Sequence, residues 1–283
     1  MPRQFTAVQL IEQTIVRRYH EELWSPFCKA IKRYELIKPG DKIAVCISGG
    51  KDSMLMAKMM QMLHRHSEIP FDVEYLIMDP GYNELNRRKV ESNARFLEIP
   101  YTIFESDIFE VANSQDKNPC FLCARMRRGC LYKKAKELGC NKIALGHHFD
   151  DVIGTTVMGM FYGGQLQAMI PKLKAKNFPG MELIRPLYLV HEENIIAWAR
   201  ANALEFIQCA CRFTENSVKH EGGSKRLETK LLIKELKKNN PTIEDNIFAS
   251  IHTCQLDTMV GWKYRGREYS FLDDYDERGG AEC

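Results

Sequence analysis

A single short segment constrains this chain more than any other. Ser48-Gly49-Gly50-Lys51-Asp52-Ser53 follows an apolar run at 42–47 and precedes a Met- and Leu-rich stretch at 54–63. That order predicts a strand, a tight glycine turn and a helix. The glycines let the backbone approach an anion closely, and the helix N-terminus offers free N–H groups and partial positive charge. Lys51 adds a full positive charge, and Ser48 and Ser53 add hydroxyl donors. The segment is not a GxxxxGK loop, whose spacing would put glycine at Val45, and it is not GxGxxG. A plain glycine turn joining strand to helix is the bland alternative. The complete six-residue set favours a phosphate cradle.

The flanking chain alternates in the same way. Strands are expected at 71–78, 101–104, 142–145 and 181–184, and helices at 83–97, 123–138, 151–161 and 191–202. Such alternation predicts an α/β fold, a parallel sheet with helices on both faces. In such sheets ligands bind at the C-terminal ends of the strands. Three marked segments fall there: 48–53, Met78-Asp79-Pro80 and 146–151. An N-terminal helical segment is expected over 1–40, with Pro26 breaking or kinking it. The nucleotide domain is expected over 41–211 and a loop with C-terminal helices over 212–262. Within the last of these, 225–238 reads as a basic amphipathic helix. Residues 263–283 read as a loosely ordered polar tail.

Ten cysteines are many for a chain of 283 residues in a reducing compartment, where they suggest metal, cluster or redox chemistry. Cys28, Cys46, Cys130, Cys140 and Cys254 stand singly in apolar or helical contexts and are expected to pack as small hydrophobes. Cys120 and Cys123 form a CxxC at an expected loop-to-helix junction, and Cys209 and Cys211 form the other close pair. Two pairs suit a zinc site or an iron–sulfur cluster; a redox dithiol fits the position less well. After Cys123 come Arg125, Arg127, Arg128, Lys133, Lys134 and Lys136. Such a run is usually a solvated helix face, but beside a phosphate loop it points to nucleic acid. Gly146-His147-His148-Phe149-Asp150-Asp151 ends the fourth strand. An Asp cap on a helix is the modest reading. Two carboxylates there also suit Mg²⁺ on nucleotide phosphates or substrate positioning.

Taken together, these segments resemble the tRNA 2-thiocytidine synthetase (TtcA) family of PP-loop ATP pyrophosphatases. The resemblance rests on 48–53, on Cys120/Cys123 with the arginines after it, and on 145–151. Met160-Phe161-Tyr162-Gly163-Gly164, Pro171-Lys172-Leu173 and Ile184-Arg185-Pro186-Leu187 extend it, so that it spans roughly 20–260. It implies an ATP-dependent sulfurtransferase that adenylates the C2 oxygen of a tRNA cytidine, position 32 in the family, and replaces it with sulfur. It implies ATP on Ile47, Ser48, Gly49, Gly50, Lys51, Asp52, Ser53, Met78 and Gly146. It also implies Mg²⁺, with Lys51, Asp52, Asp150 and Asp151 as catalytic candidates. A [4Fe-4S] cluster would be held by Cys120, Cys123 and Cys211, with Cys209 as the alternative third ligand. This chain has CxC where the family reads CxxC, and the stretch at 212–223 is longer. The implied partners are tRNA and a sulfur donor, hydrosulfide or a cysteine desulfurase system; a homodimer is admitted on family likeness. A PP-loop synthetase with a nitrogen nucleophile and structural zinc, a thiolase for another acceptor and a non-catalytic nucleotide-binding regulator stay open.

Composition sets the class. Hydrophobic content is 45%, ordinary for a packed globular core, and net charge is +3, which permits an anionic partner without demanding one. No stretch offers about 18 uninterrupted apolar residues, so no membrane partner is expected. The opening residues lack a long apolar region, and a cytoplasmic protein is expected.

Overall fold

The computed structural model describes residues 4–106, 108, 119–207 and 225–277, with the backbone alone at 119–121 and 277. Its centre is a sheet of six strands: β1 Lys42–Ile47, β2 Asp72–Asp79, β3 Thr102–Glu105, β4 Lys142–Ala144, β5 Lys172–Lys174 and β6 Glu182–Ile184. The spatial order is β3-β2-β1-β4-β6-β5. All neighbours pair parallel except β5, which runs antiparallel to β6 at one edge. The apolar run of β1 is buried almost throughout, as a strand covered on both faces must be. The order reverses between β1 and β4, where Ile43, Ala44 and Val45 register with Lys142, Ile143 and Ala144. A crevice opens at such a switch point, beyond the carboxyl ends of the two strands.

Helices cover both faces. α1 spans Ala7–Gln13, α2 Ser25–Arg33, α3 Lys51–His66, α4 Glu84–Phe96, α5 Pro119–Glu137, α6 Phe149–Gly163, α7 Glu192–Ala201, α8 Lys225–Asn239 and α9 Ile243–Ser250. One core layer joins α1 and α2 to α3, α4 and α7 through Ile11, Phe27, Met54, Val90 and Trp198. A second lies under α5, through Leu76, Leu131, Tyr132 and Ile143. α8 and α9 lean on α6 through Ile233, Ile247 and Phe248.

Several expectations need correction. The N-terminal helix is interrupted before Pro26, by two π-helical turns at Thr14–Arg18 and His20–Trp24. Pro26 itself sits in the first turn of α2, where its missing N–H costs nothing. The sheet is parallel except at one edge, where the three-residue β5 runs antiparallel to β6. α5 begins at Pro119, so Cys120 and Cys123 lie within the helix and not before it. The expected loose tail contains a hairpin, Gly261–Tyr264 (β7) with Arg267–Ser270 (β8). A Trp262–Tyr269 ring stack and a Lys263–Glu268 ion pair hold it, and Arg265-Gly266 turns it with positive φ at both residues. Cys46 and Cys140 are buried, as expected of packing cysteines. Cys254 is exposed. No helix among the described residues is long and apolar enough to cross a membrane.

Below the switch point, buried Lys142 pairs with Asp41 at 2.6 Å and donates to the Leu36 carbonyl at 2.9 Å. Asp41 also accepts from the Lys38 N–H at 2.6 Å and from Asn141 at 2.8 Å. Burial pushes the Asp41 carboxyl up, but Lys142, Asn141 and the backbone outweigh it and hold it low. A depressed carboxyl stabilises the fold above its ordinary range, and that contribution is lost as pH falls through the folded value. Lys142→Met is expected to cost about 3–5 kcal/mol in urea unfolding near neutral pH, because it leaves Asp41 buried without its cation. Adding Asp41→Asn should recover part of that loss; additive costs would show that the pair is not coupled.

Candidate active site

The loop between β1 and α3 is built by its own hydroxyls. Ser48 N–H and Ser48 Oγ both donate to Ser53 Oγ at 3.1 Å, and Ser53 Oγ donates to the Gly50 carbonyl at 3.0 Å. Gly49 has φ of +85°, and a Cβ there would lie 2.4 Å from Val90 and 2.7 Å from Ile207, so glycine is required twice over. Gly50 caps α3 without a side-chain bond, which leaves the first-turn N–H groups for an anion. From β2, Asp79 accepts from the N–H groups of Gly81 and Tyr82 at 2.9 and 2.7 Å. That turn places the Tyr82 hydroxyl to donate to the Ser48 carbonyl at 3.1 Å.

The end of β4 closes onto the same loop. A Cβ at Gly146 would stand 3.0 Å from the Ser53 nitrogen and 3.1 Å from its Cα, so this strand end touches the α3 backbone directly. His148 caps α6, and Asp151 completes the capping box by accepting the His148 N–H at 3.2 Å. The cap is therefore histidine, with the aspartates inside the first turn. Asp150 accepts the Glu192 N–H at 2.8 Å at the start of α7. The His148 ring is buried among three carboxylates: Asp150 at 3.6 Å, Asp151 at 3.7 Å and Asp52 at 3.9 Å.

These neighbours set the charges. Burial depresses the His148 imidazolium, and the three aspartates more than offset that, so it titrates above its ordinary value. Burial raises the Asp150 carboxyl, but His148 and the Glu192 N–H bring it down to about 2. Asp151 is held low against burial by His148 and by an ion pair with Arg226 from α8. His147 faces the other way, and burial with nearby Arg185 lowers it to about 4, so it is neutral at pH 7. Lys51 pairs with Asp52 at 3.1 Å and with Glu192 at 2.9 Å. Glu192 also pairs with Lys230 of α8.

Two cavities meet at Asp52. One, about 430 Å³, is lined by Ile47, Ser48, Asp52, Ser53, Met78 and Gly146, all expected at a nucleotide, together with Arg127, Arg128, His147 and Arg185. The other, about 720 Å³, lies between α6, α7 and α8 and takes in Asp150, Asp151, Glu192, Arg226 and Lys230. The expected residues thus divide: the loop, Met78 and Gly146 face the smaller space, and Asp150 and Asp151 the larger. Gly49, Gly50 and Lys51 shape the loop without lining either. Among the described residues no three His, Cys, Asp or Glu side chains are grouped to hold a metal ion. Cys123 is half-buried on α5, and Cys120 lies one helical turn before it. Cys209 and Cys211 lie outside the described residues. Glu192, Arg226 and Lys230 escaped the sequence reading; an acidic first turn and a basic helix carry no sign that they meet over a phosphate loop.

Residues 19–218 match the PP-loop domain family. The tRNA-cytidine(32) 2-sulfurtransferase of Ralstonia pickettii is 36% identical over 241 residues, covering 83% of this chain and 73% of the relative. The chain belongs to the tRNA 2-thiocytidine synthetase family of PP-loop proteins. A Neisseria meningitidis protein of the same description is 41% identical over 186 residues, 64% of this chain and 57% of that one. The U34-tRNA thiolase NcsA from Methanococcus maripaludis, solved with its [4Fe-4S] cluster, shares the fold at a TM-score of 0.63 and 22% identity. That match covers 81% of this chain and 77% of the other. Across this PP-loop site, one prediction separates the adjacent histidines. In an NMR titration His148 should titrate above 6.5 and His147 near 4. Asp150→Asn should lower His148 and leave His147 in place. A raised histidine stabilises the fold below its ordinary value, and that contribution fades as pH rises through the folded one. Two histidines titrating together near 6.5 would refute this charge arrangement.

Proposed function

We propose that this chain is an ATP-dependent tRNA sulfurtransferase that makes 2-thiocytidine, at position 32 of the anticodon loop as in the relatives' description. The observation that carries the reading is the smaller cavity. The phosphate loop, the β2 and β4 ends and the helix bearing Cys120 and Cys123 all line it or border it. ATP is assigned there, with Ile47 and Met78 against the adenine side and the α3 first turn toward the phosphates. A Mg²⁺ ion would be held chiefly through those phosphates and would neutralise their charge. Asp52, at the junction of the two cavities, is the carboxylate best placed to orient it. Asp150 and Asp151 serve as positioning groups, since both already hold His148 and the α7 and α8 ends.

The chemistry needs no net redox change. The cytidine C2 oxygen attacks the α-phosphorus, the bond from that phosphorus to the bridging oxygen breaks, and pyrophosphate leaves. Sulfur at the hydrosulfide level then attacks C2, the C2–O bond breaks, and AMP departs. Backbone N–H groups of α3 and the Lys51 ammonium stabilise the charge that develops on the leaving pyrophosphate. Arg127 and Arg128 line the cavity and are assigned to an RNA phosphate.

The Cys123 thiol, on a helix whose next turn lines the nucleotide cavity, fits a cluster ligand. Cys120, Cys123 and Cys211, with Cys209 as the alternative, would hold a [4Fe-4S] cluster whose iron without a protein ligand offers a place for the sulfur donor. The donor is assigned as hydrosulfide, or a cysteine desulfurase system with its own reductant that delivers sulfur at that level. Cytoplasmic tRNA is the substrate, and a homodimer is the assembly we assign on family likeness.

Anaerobically purified protein, incubated with tRNA, ATP and sulfide, should yield 2-thiocytidine in a nuclease digest read by mass spectrometry. Cys123→Ala should abolish that product while leaving ATP affinity within about twofold. Lys51→Ala should slow tRNA-dependent pyrophosphate release by about 10²–10³-fold, the scale of losing one transition-state charge contact. Undiminished thiolation by Cys123→Ala would remove the cysteine half of this reading. Pyrophosphate release with a nitrogen-linked tRNA product would replace it with a synthetase.

A further inference from the structure

Arg185 follows β6 and is only 7% exposed. One of its terminal nitrogens, Nη1, donates to the Ile170 carbonyl. Its Nε is buried and has no hydrogen-bond partner among the described residues. The other deeply buried side-chain cations of the core are balanced: Lys58 pairs with Glu12 at 2.6 Å and Lys142 with Asp41 at 2.6 Å. Arg185 has no carboxylate at ion-pair distance among the described residues. Asp151 acts on it only from farther off and is committed to Arg226. Burial brings the guanidinium down to about 10, so it stays charged at neutral pH. A buried charge without a counter-ion costs several kcal/mol, and a fold keeps one where a ligand supplies the opposite charge.

The cavity that Arg185 lines says what the ligand carries. It shares the wall with Ser48, Ser53, Arg127, Arg128 and neutral His147, and Asp52 is the acidic residue among them. Lys51 does not line this space; its ammonium is paired with Glu192, a residue of the larger cavity. The cation of the phosphate loop therefore serves the outer phosphates, and a phosphate seated in the smaller cavity needs another.

We propose that Arg185 is a phosphate-binding residue of the reaction, its guanidinium donating to the phosphate attached directly to adenosine, from ATP through to departing AMP. This rests on the smaller cavity being the adenine-nucleotide site. Arg185 then neutralises the group that is transferred to the acceptor and later leaves with it. Lysine is a poor replacement, since a guanidinium donates in a fixed plane and an ammonium does not.

The test compares AMP with adenosine, which differ by that phosphate alone. Both are titrated calorimetrically into the full chain as wild type, Arg185→Met and Arg185→Lys, with thermal unfolding recorded for each. AMP affinity should fall at least tenfold in Arg185→Met and by less in Arg185→Lys, with adenosine affinity within twofold throughout. If Arg185→Met does not fold, Arg185→Lys decides by the same AMP-to-adenosine ratio. Equal losses for AMP and adenosine, or unchanged AMP binding, would overturn the assignment and leave Arg185 a strut for the Ile170 segment. An anticodon stem–loop RNA that loses affinity while AMP does not would also overturn it, by giving the guanidinium to an RNA phosphate. Wild-type protein that binds neither AMP nor adenosine would instead defeat the nucleotide reading of the cavity, and this assignment with it.

Discussion

At Gly146 the end of β4 lies against the backbone of the first turn of α3, close enough that a Cβ would meet Ser53 at 3.0 Å. This contact is possible because β1 and β4 are parallel neighbours whose carboxyl ends reach the same edge of the sheet. It brings together two loops separated by nearly a hundred residues of chain. The phosphate loop gains a second wall, and His147 and His148 are sent in opposite directions, one toward each cavity. Were the two strand ends an ångström or two farther apart, Asp52 would not stand between those cavities. His148 would then lose one of the three carboxylates that favour its charged form.

The charge arrangement follows from that closeness. Asp52, Asp150, Asp151 and Glu192 form an acidic cluster that no bare backbone would tolerate. It is balanced from three elements: Lys51 of α3, His148 of α6, and Arg226 with Lys230 of α8. Each acid thus has a cation from an element other than its own or from the first turn beside it. The arrangement is held by mutual neutralisation in a partly dry space, where such pairs are felt strongly. The smaller cavity is the reverse. It is rich in guanidinium groups and, among the described residues, holds Asp52 as its one acidic wall residue, which suits a polyanion.

Much of this was legible in the sequence because it depends on local pattern. The glycine pair, the apolar run before it and the helical stretch after it predict β1, the loop and α3 within a few residues. Parallel topology follows from strands alternating with helices, and the placing of 48–53, 78–80 and 146–151 at one edge follows from the topology. Long-range pairings were not legible. Nothing in Glu192-Glu193 distinguishes a helix start that favours acids from one that supplies the partner of Lys51. The basic face of α8 reads as a solvated helix until α6 is seen beneath it. β5 escapes a sequence reading because three residues, Lys172-Leu173-Lys174, are too few for their alternation to stand out. The Gly261–Ser270 hairpin was missed because its holding forces, a ring stack and a cross-strand ion pair, outweigh a polar composition.

The two outermost strands share a further property. β3 is four residues long and ends in Glu105, and β5 is three residues long with Lys172 and Lys174 on it. An edge strand offers unpaired N–H and carbonyl groups to any other extended chain, and short charged edges make poor templates. Because both edges are short and carry charge, two copies meeting edge to edge find little length to pair over and must desolvate that charge to do so. The sheet is thereby protected against open-ended growth into aggregates, while its central crevice remains open to solvent.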